Sequence, residues 1–384
     1  MKRTIRGLIS LAKWALRSPE FRRPTQADVL VFDAEMSELI TPFLEGITFR
    51  ILHQRDRQLN LSVLIRSLRR GFNLEQYLHE YARIVNPKVV VSLLDNEIAL
   101  YRLKAVVPNA RVVAIQNGWR GITYDIFSLE SSSRGSDLEA DDVLVFGPAI
   151  GKRFESLVRT KTTPIGSFKS NLVPIHRAPG SRVIALVSTV RQKVDLDQYV
   201  PVRTGLSAVK YRQIFERRLE LARLVYQFAR REGFHLRVLG KDESIGREFE
   251  MYRHHLGTPD SSWSFTPRTT LLANYAEIDH AHAVISSSST LGYEALGRGA
   301  RSAFFMIDFE VLGDDGTQFG WPLELPKDGA FWTHSLEAVR IEEVLNNVAL
   351  STDLEWKVMS RDIAQELITF DSGNSLFARM MAQI

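Results

Sequence analysis

The sequence predicts an α/β protein built as two consecutive Rossmann-like halves facing a cleft, closed by C-terminal helices. Three observations carry this. The chain has 384 residues, too many for one hydrophobic core and suited to two domains. Short, continuous apolar runs recur along it, several alternating with helical stretches, and most end in polar residues. Such runs are typical of strands buried on both faces of a parallel sheet. The pattern is interrupted within residues 172–182, where Pro174, Pro179 and Gly180 mark a boundary. The expected parts are a basic segment over 1–26, a first half over 27–175, a second half over 180–345 and helices over 346–384.

In the first half, Ala27 to Phe32 is an apolar run ending in Asp33, and Ile47 to Leu52 is a second. Leu59 to Arg83 has one helical period, through Leu61, Leu64, Leu68, Leu74, Tyr77 and Tyr81. Val89 to Leu94 ends in Asp95-Asn96, Arg111 to Ile115 in Gln116-Asn117-Gly118, and Val143 to Phe146 in Gly147. In the second half, Val183 to Val187 precedes Ser188-Thr189-Val190-Arg191. A helix is expected from about Val209 to Arg231. Leu236 to Leu239 leads to Gly240-Lys241-Asp242, Ala283 to Ile285 to a serine-rich turn, and Ala303 to Ile307 to Asp308. Polar residues just past strand ends are where α/β sheets place ligands.

The most informative of these ends is Ser286-Ser287-Ser288-Ser289-Thr290, followed by the helical pattern Leu291-Gly292-Tyr293-Glu294-Ala295-Leu296. Strand, tight turn and helix would present hydroxyls and backbone N–H groups at a helix N-terminus, a ready anion site. Glu294 falls one turn in, placed to reach a sugar hydroxyl. One serine would suffice to cap an ordinary helix; four in a row favour a phosphate ligand.

Composition narrows the chemistry. Without cysteine there are no disulfides, thiolate metal sites or cysteine nucleophiles. No G-x-G-x-x-G or P-loop follows any strand. Asp195-Leu196-Asp197 closes no convincing strand and is set aside as a metal-nucleotide site, and His254-His255 reads as a solvated helix face. No apolar run approaches the roughly 18 residues of a membrane span. Up to Arg23 the chain carries seven basic residues against Glu20, a net of +6 where the whole chain has +4. Ile5, Leu8, Ile9, Ala12, Trp14, Ala15 and Leu16 fall among these charges at helical spacing. That pattern fits a membrane-surface helix or one docked on its own domain. The remaining chain is near neutral, without aromatic-basic interleaving, so no nucleic-acid partner is expected.

The ordered pieces Val31-Phe32-Asp33, Leu94-Asp95-Asn96, Ile115-Gln116-Asn117-Gly118-Trp119-Arg120, Phe146-Gly147, Ile165-Gly166-Ser167-Phe168-Lys169-Ser170-Asn171, Ser289 to Leu296, Phe319-Gly320-Trp321-Pro322 and Asp371-Ser372-Gly373-Asn374 span most of the chain. Together they resemble the bacterial surface-carbohydrate biosynthesis proteins, glycosyltransferases of the GT-B type. The resemblance implies nucleotide-sugar donor on the C-terminal domain, no metal and no dissociable cofactor. Its serine turn is similar to that holding the phosphate of CMP-sugars in sialyl- and Kdo-type transferases, and to the serines of polyol-phosphate transferases of teichoic acid synthesis. The His-Pro dipeptide of several CMP-sialic-acid enzymes is missing here. The leading expectation is transfer of a CMP-activated ulosonic acid such as Kdo onto a lipid-linked or oligosaccharide acceptor, at the cytoplasmic face of the inner membrane and in peripheral contact with it. The alternatives are a polyol-phosphate transferase using a CDP-alcohol, with His53, His176, His235, His280 and His282 available for its catalytic histidine, and a non-catalytic glycan assembly protein.

The chemistry assigns expected roles. Ser286, Ser287, Ser288, Ser289 and Thr290 hold the departing phosphate, Arg191 and Lys241 add cationic charge, and Glu294 meets the ribose. Asp95 is the expected acceptor base, and Asp242 the nucleophile if configuration is retained. Asp33, Asn96, Gln116, Asn117, Gly118 and Arg120 are expected around the acceptor, with Gly118 left-handed and Arg120 on a sugar carboxylate. Each aspartate would serve equally as a helix cap.

Overall fold

The computed structural model describes residues 20–53, 59–69, 73–121, 126–129, 137–191, 194–200, 209–313 and 317–384. Most of the expected basic segment, residues 1–19, and the Ser131-Ser132-Ser133 stretch lie outside them.

The first domain is one parallel sheet of β1 (Val29–Phe32), β2 (Phe49–Leu52), β3 (Val89–Ser92), β4 (Arg111–Ile115), β5 (Glu139–Val145) and β6 (Arg159–Pro164). Its strand order is β2-β1-β3-β4-β5-β6, so the order reverses between β1 and β3. The second is a parallel sheet of β7 (Val183–Val187), β8 (His235–Leu239), β9 (Trp263–Thr266), β10 (Ala283–Ser286), β11 (Ser302–Phe305) and β12 (Trp332–Thr333), ordered β12-β11-β10-β7-β8-β9. Here the reversal lies between β7 and β10. Both domains are Rossmann-like, a fold that places ligands at the carboxyl ends of the reversal strands.

The central strands are apolar because both faces are covered. Val29 and Val31 pack to one side of β1, Leu30 and Phe32 to the other. The sequence pattern misses β6, β9 and β12, and each lies at a sheet edge. Arg159-Thr160-Lys161-Thr162-Thr163-Pro164 reads as polar because an edge strand meets solvent on one side.

The single helical period over Leu59–Arg83 resolves into two helices, α1 (Leu61–Leu68) and α2 (Leu74–Val85). The cause is local. Asn60 accepts from Val63 N–H at 3.2 Å and Asn73 from Gln76 N–H at 2.7 Å, so each asparagine starts a helix of its own.

Of the later helices, α3 (Pro148–Leu157) belongs to the first domain and α4 (Tyr211–Arg231), α5 (Arg247–Leu256), α6 (Asn274–His280), α7 (Thr290–Gly297) and α8 (Ala338–Ala349) to the second. The expected division at 345/346 falls inside α8, whose Ile341, Val344, Leu345 and Val348 are buried together. After α9 (Asp353–Leu367) the chain returns to the first domain. Thr369 N–H donates to Phe146 O at 2.8 Å, and Asn374 bonds Asn171 and Phe168 O. Phe377 and Met381 of α10 (Ser375–Met381) complete the core behind β1 and β3. Two glycines permit this return. A Cβ on Gly147 would lie 2.4 Å from the Leu367 carbonyl carbon, and one on Gly166, at φ +77°, 2.1 Å from Thr369 O.

Candidate functional site

A cavity of about 370 Å³ opens at the carboxyl ends of β7, β8 and β10, at the second domain's strand-order reversal. Five cations line it, namely Lys169, Arg191, Arg218, Lys241 and Arg268, against one carboxylate, Glu294. Arg218, on α4, is held by Asp308 and donates to Thr189 O at 2.7 Å. The other four have no carboxylate ion-pair partner among the described residues. Converging, unneutralised cations at a helix N-terminus are an electrostatic arrangement that asks for an anion.

Burial and the nearby guanidinium groups of Arg191, Arg218 and Arg268 push the Lys241 ammonium down to about 8. Its backbone is fixed from beneath. Both oxygens of Glu248 accept the Lys241 N–H at 3.1 Å, and one accepts the Asp242 N–H at 3.4 Å. Glu248 is fully buried, which raises its carboxyl above the usual range, and Ser188 bonds it in turn. Tyr252 donates to Ser188 at 3.0 Å. The strand-end residues beside the cavity therefore rest on a buried polar network.

The serine turn divides by role. Ser286 is fully buried beneath Gly292, and its Oγ accepts the Ser289 N–H at 3.3 Å. Ser287 bonds Thr189 at 3.0 Å, tying the turn to the end of β7. Neither lines the cavity, so both shape the turn. Ser288, Ser289 and Thr290 do line it. Ser289 is the N-cap of α7, accepting from Leu291 N–H at 3.3 Å. Thr290 Oγ1 accepts the Trp119 N–H at 2.9 Å, which joins the turn to the first domain. Ser288 alone keeps a hydroxyl with no protein partner among the described residues.

Glu294 is 3% exposed yet faces the cavity. It accepts from Ser167 of the first domain, and the Tyr275 hydroxyl lies beside it. Burial and this carboxylate raise the Tyr275 phenol well above its ordinary value. A second wall of the site thus comes from the short helix Phe168–Asn171, which Ser167 caps and which carries Lys169.

The first-domain residues organise a loop. Asp95, fully buried, receives a bidentate pair from Arg120, with Nε to Oδ2 at 2.7 Å, and accepts the Asn117 N–H at 3.2 Å. Both of its oxygens are committed, so the geometry makes Asp95 an anchor for the loop after β4 rather than a free base. Arg120 is likewise spent on Asp95 and on Asn117 Oδ1, at 2.9 Å, rather than offered to a sugar carboxylate. Gln116 closes the same loop, donating to Gly118 O at 2.9 Å and accepting from Phe146 N–H at 2.8 Å. Gly118 does not adopt a positive φ. The side-chain bonds of Gln116 and Asp95 bend the chain without it.

Asp33 ends β1 at φ 101°, a left-handed conformation rare for a residue with a Cβ, and its Oδ1 accepts the Glu35 N–H at 2.9 Å. Asn96 is half-buried beside Asp95 at the same strand-order reversal. Asp242 is not among the residues lining the cavity; its carbonyl accepts the Arg268 N–H at 3.0 Å. None of His53, His176, His235, His280 and His282 lines it either. Among the described residues, no group of three or more His, Cys, Asp or Glu is arranged to hold a metal ion.

Sequence reading misses Lys169, Arg218, Arg268 and Tyr275 as site residues. Lys169 lies in Ile165 to Asn171, a stretch the sequence marks only as part of the family resemblance. Arg218 is one of many basic residues on a long helix, and Arg268 follows the edge strand β9, which leaves little hydrophobic trace.

Residues 113–384 match the profile of a family described as "putative O-antigen biosynthesis protein". No curated protein matches the sequence. In three dimensions the chain is similar to a putative UDP-N-acetylglucosamine 2-epimerase from Listeria monocytogenes, with TM-score 0.52 at 11% identity, over 94% of this chain and 97% of that one. It is also similar to the wall teichoic acid polymerase TagF (H548A variant), with TM-score 0.51 at 9% identity, over 99% and 96%. These likenesses show a common fold, the GT-B arrangement of two Rossmann-like domains.

Proposed function

The chain belongs to the family described as putative O-antigen biosynthesis proteins, and from that premise we propose that it is a glycosyltransferase of bacterial surface-polysaccharide assembly that binds a nucleotide-activated sugar in the cation-lined cavity. One observation carries the reading: Lys169, Arg191, Lys241 and Arg268, without carboxylate partners among the described residues, meet the N-terminus of α7 at the strand-order reversal. Glycosyl transfer leaves negative charge on the departing phosphate. Preorganised cations, Ser288 and the helix N-terminus stabilise that charge where it develops. Glu294, one turn along α7, is placed to accept from a donor hydroxyl.

The donor in this proposal is a CMP-activated ulosonic acid such as Kdo, and the acceptor a lipid-linked or oligosaccharide glycan against the first domain. The number of unpaired cations also supports a second reading, a CDP-linked donor whose two phosphates would use more of them. Calorimetry of the full chain with CMP and CDP tests both. CMP binding that drops roughly tenfold or more in Lys241→Met supports the reading, since a bond to a charged group contributes about 1.5–3 kcal/mol. Markedly tighter CDP binding favours the second donor. Absence of binding by either nucleotide would overturn the assignment.

A further inference from the structure

Helix α1 is apolar on more than its inward face, where Val63 is buried and Leu64 packs against the core. Its buried side chains are Val63 and Ser67, while Ile65 and Leu68 are 54% and 50% exposed. A helix on a water-facing surface turns its large apolar residues inward. Here Ile65 and Leu68 point outward, and burial against the described residues does not explain them.

A second segment lies beside its N-terminus. Glu20 N–H donates to Leu59 O at 3.1 Å and Leu61 N–H to Glu20 O at 2.9 Å, and the Asn60 amide donates to Arg22 O at 2.6 Å. These bonds fix Phe21, 71% exposed, with exposed Arg22 and Arg23 next to the helix. Arg66 is exposed on α1 and Arg69 at its C-cap. Arg66 reaches Glu80 at 3.8 Å, whereas Arg22, Arg23 and Arg69 have no carboxylate partner among the described residues. Upstream, the sequence adds Lys2, Arg3, Arg6, Lys13 and Arg17 and no acid before Glu20.

We propose that the outward face of α1, together with Phe21, Arg22 and Arg23, docks on an anionic lipid bilayer. Apolar side chains rimmed by unneutralised arginines match the boundary between acyl chains and anionic headgroups. A second copy of the chain is disfavoured by the same rim, because a symmetric contact would set arginine against arginine. This surface is separate from the nucleotide cavity, and the proposal stands whether or not the donor assignment does.

The test is cosedimentation of the full chain with phosphatidylcholine vesicles, with and without phosphatidylglycerol. Wild type binds only the anionic vesicles. An Ile65→Ser/Leu68→Ser variant and an Arg22→Gln/Arg23→Gln/Arg69→Gln variant each lose on the order of tenfold or more in partitioning, with melting temperature unchanged because all five side chains are exposed. The inference is overturned if both variants bind like wild type. It is also overturned if wild type ignores anionic vesicles, or if light scattering finds a dimer that Ile65→Ser/Leu68→Ser dissociates.

Discussion

The indole of Trp119 lies flat on the ring of Tyr293, with centroids 3.4 Å apart and planes 3° from parallel. One residue belongs to the loop after β4 of the first domain, the other to α7 of the second. The Trp119 N–H also holds Thr290 Oγ1 at the start of that helix. Tyr293 stacks in turn on Phe319, and its hydroxyl receives the Gly320 N–H at 3.2 Å. The loop expected to meet acceptor and the turn expected to meet donor are therefore in direct contact.

Trp119→Ala should loosen this contact. Aromatic pairs contribute about 0.5–1.5 kcal/mol beyond the area they bury. The variant should unfold at lower denaturant, and nucleotide affinity should fall because the backbone N–H at position 119, which alanine keeps, is no longer held against Thr290 by the ring stack. Wild-type values for both would show that the stack does not position the turn.

The serine turn separates two kinds of effect. Ser288→Ala removes a hydroxyl with no protein partner among the described residues, so nucleotide affinity should fall while the melting temperature holds. Ser289→Ala removes the α7 N-cap, at a cost of about 1 kcal/mol in stability. Calorimetry and thermal melts on the two variants check the division, and equal stability losses would contradict it.

The turn also shows how much was legible in the sequence. Its place between a buried strand and a helix follows from hydrophobic period alone, and so do eight of the central strands. Which hydroxyl faces the cavity does not, because that depends on Gly292 admitting Ser286 and on Thr189 claiming Ser287. The aspartates show the same gap. Asp95 after β3 reads as a cleft residue, and only the fold reveals Arg120, 25 positions later, closing on both its oxygens. Partners distant in sequence leave no periodic signal. Two of the missed edge strands are obscure for different reasons, since the solvated side of β6 removes its apolar run and β12 is only two residues long.

That buried pair gives a stability prediction. Arg120→Met leaves Asp95 fully buried without its counter-ion, and breaking one side of such a pair typically costs about 3–5 kcal/mol. Chemical denaturation should show a loss of this order. Asp95→Asn/Arg120→Met, which removes both charges, should recover part of it. No recovery in the double variant would mean that the charge of Asp95 is not the source of the loss.

The last prediction uses the depressed ammonium of Lys241, near 8 in the folded protein and 10.5 ordinarily. Between those values the unfolded chain binds more protons at this site than the folded one, so this group's contribution to stability rises as pH rises through that window. Anion binding has the opposite sign, because the cavity attracts phosphate through the protonated lysine. Nucleotide phosphate is already ionised above pH 7, so the lysine governs the change. Affinity should be flat up to about pH 8 and then fall toward roughly tenfold per pH unit as Lys241 deprotonates, less where bound phosphate holds the proton on. Lys241→Met should bind more weakly at pH 7 and lose this decline, whereas Lys241→Arg, charged throughout, should bind without it. Calorimetry of the three proteins from pH 7 to 9.5 is the measurement. An undiminished decline in Lys241→Met would assign the titration to another group.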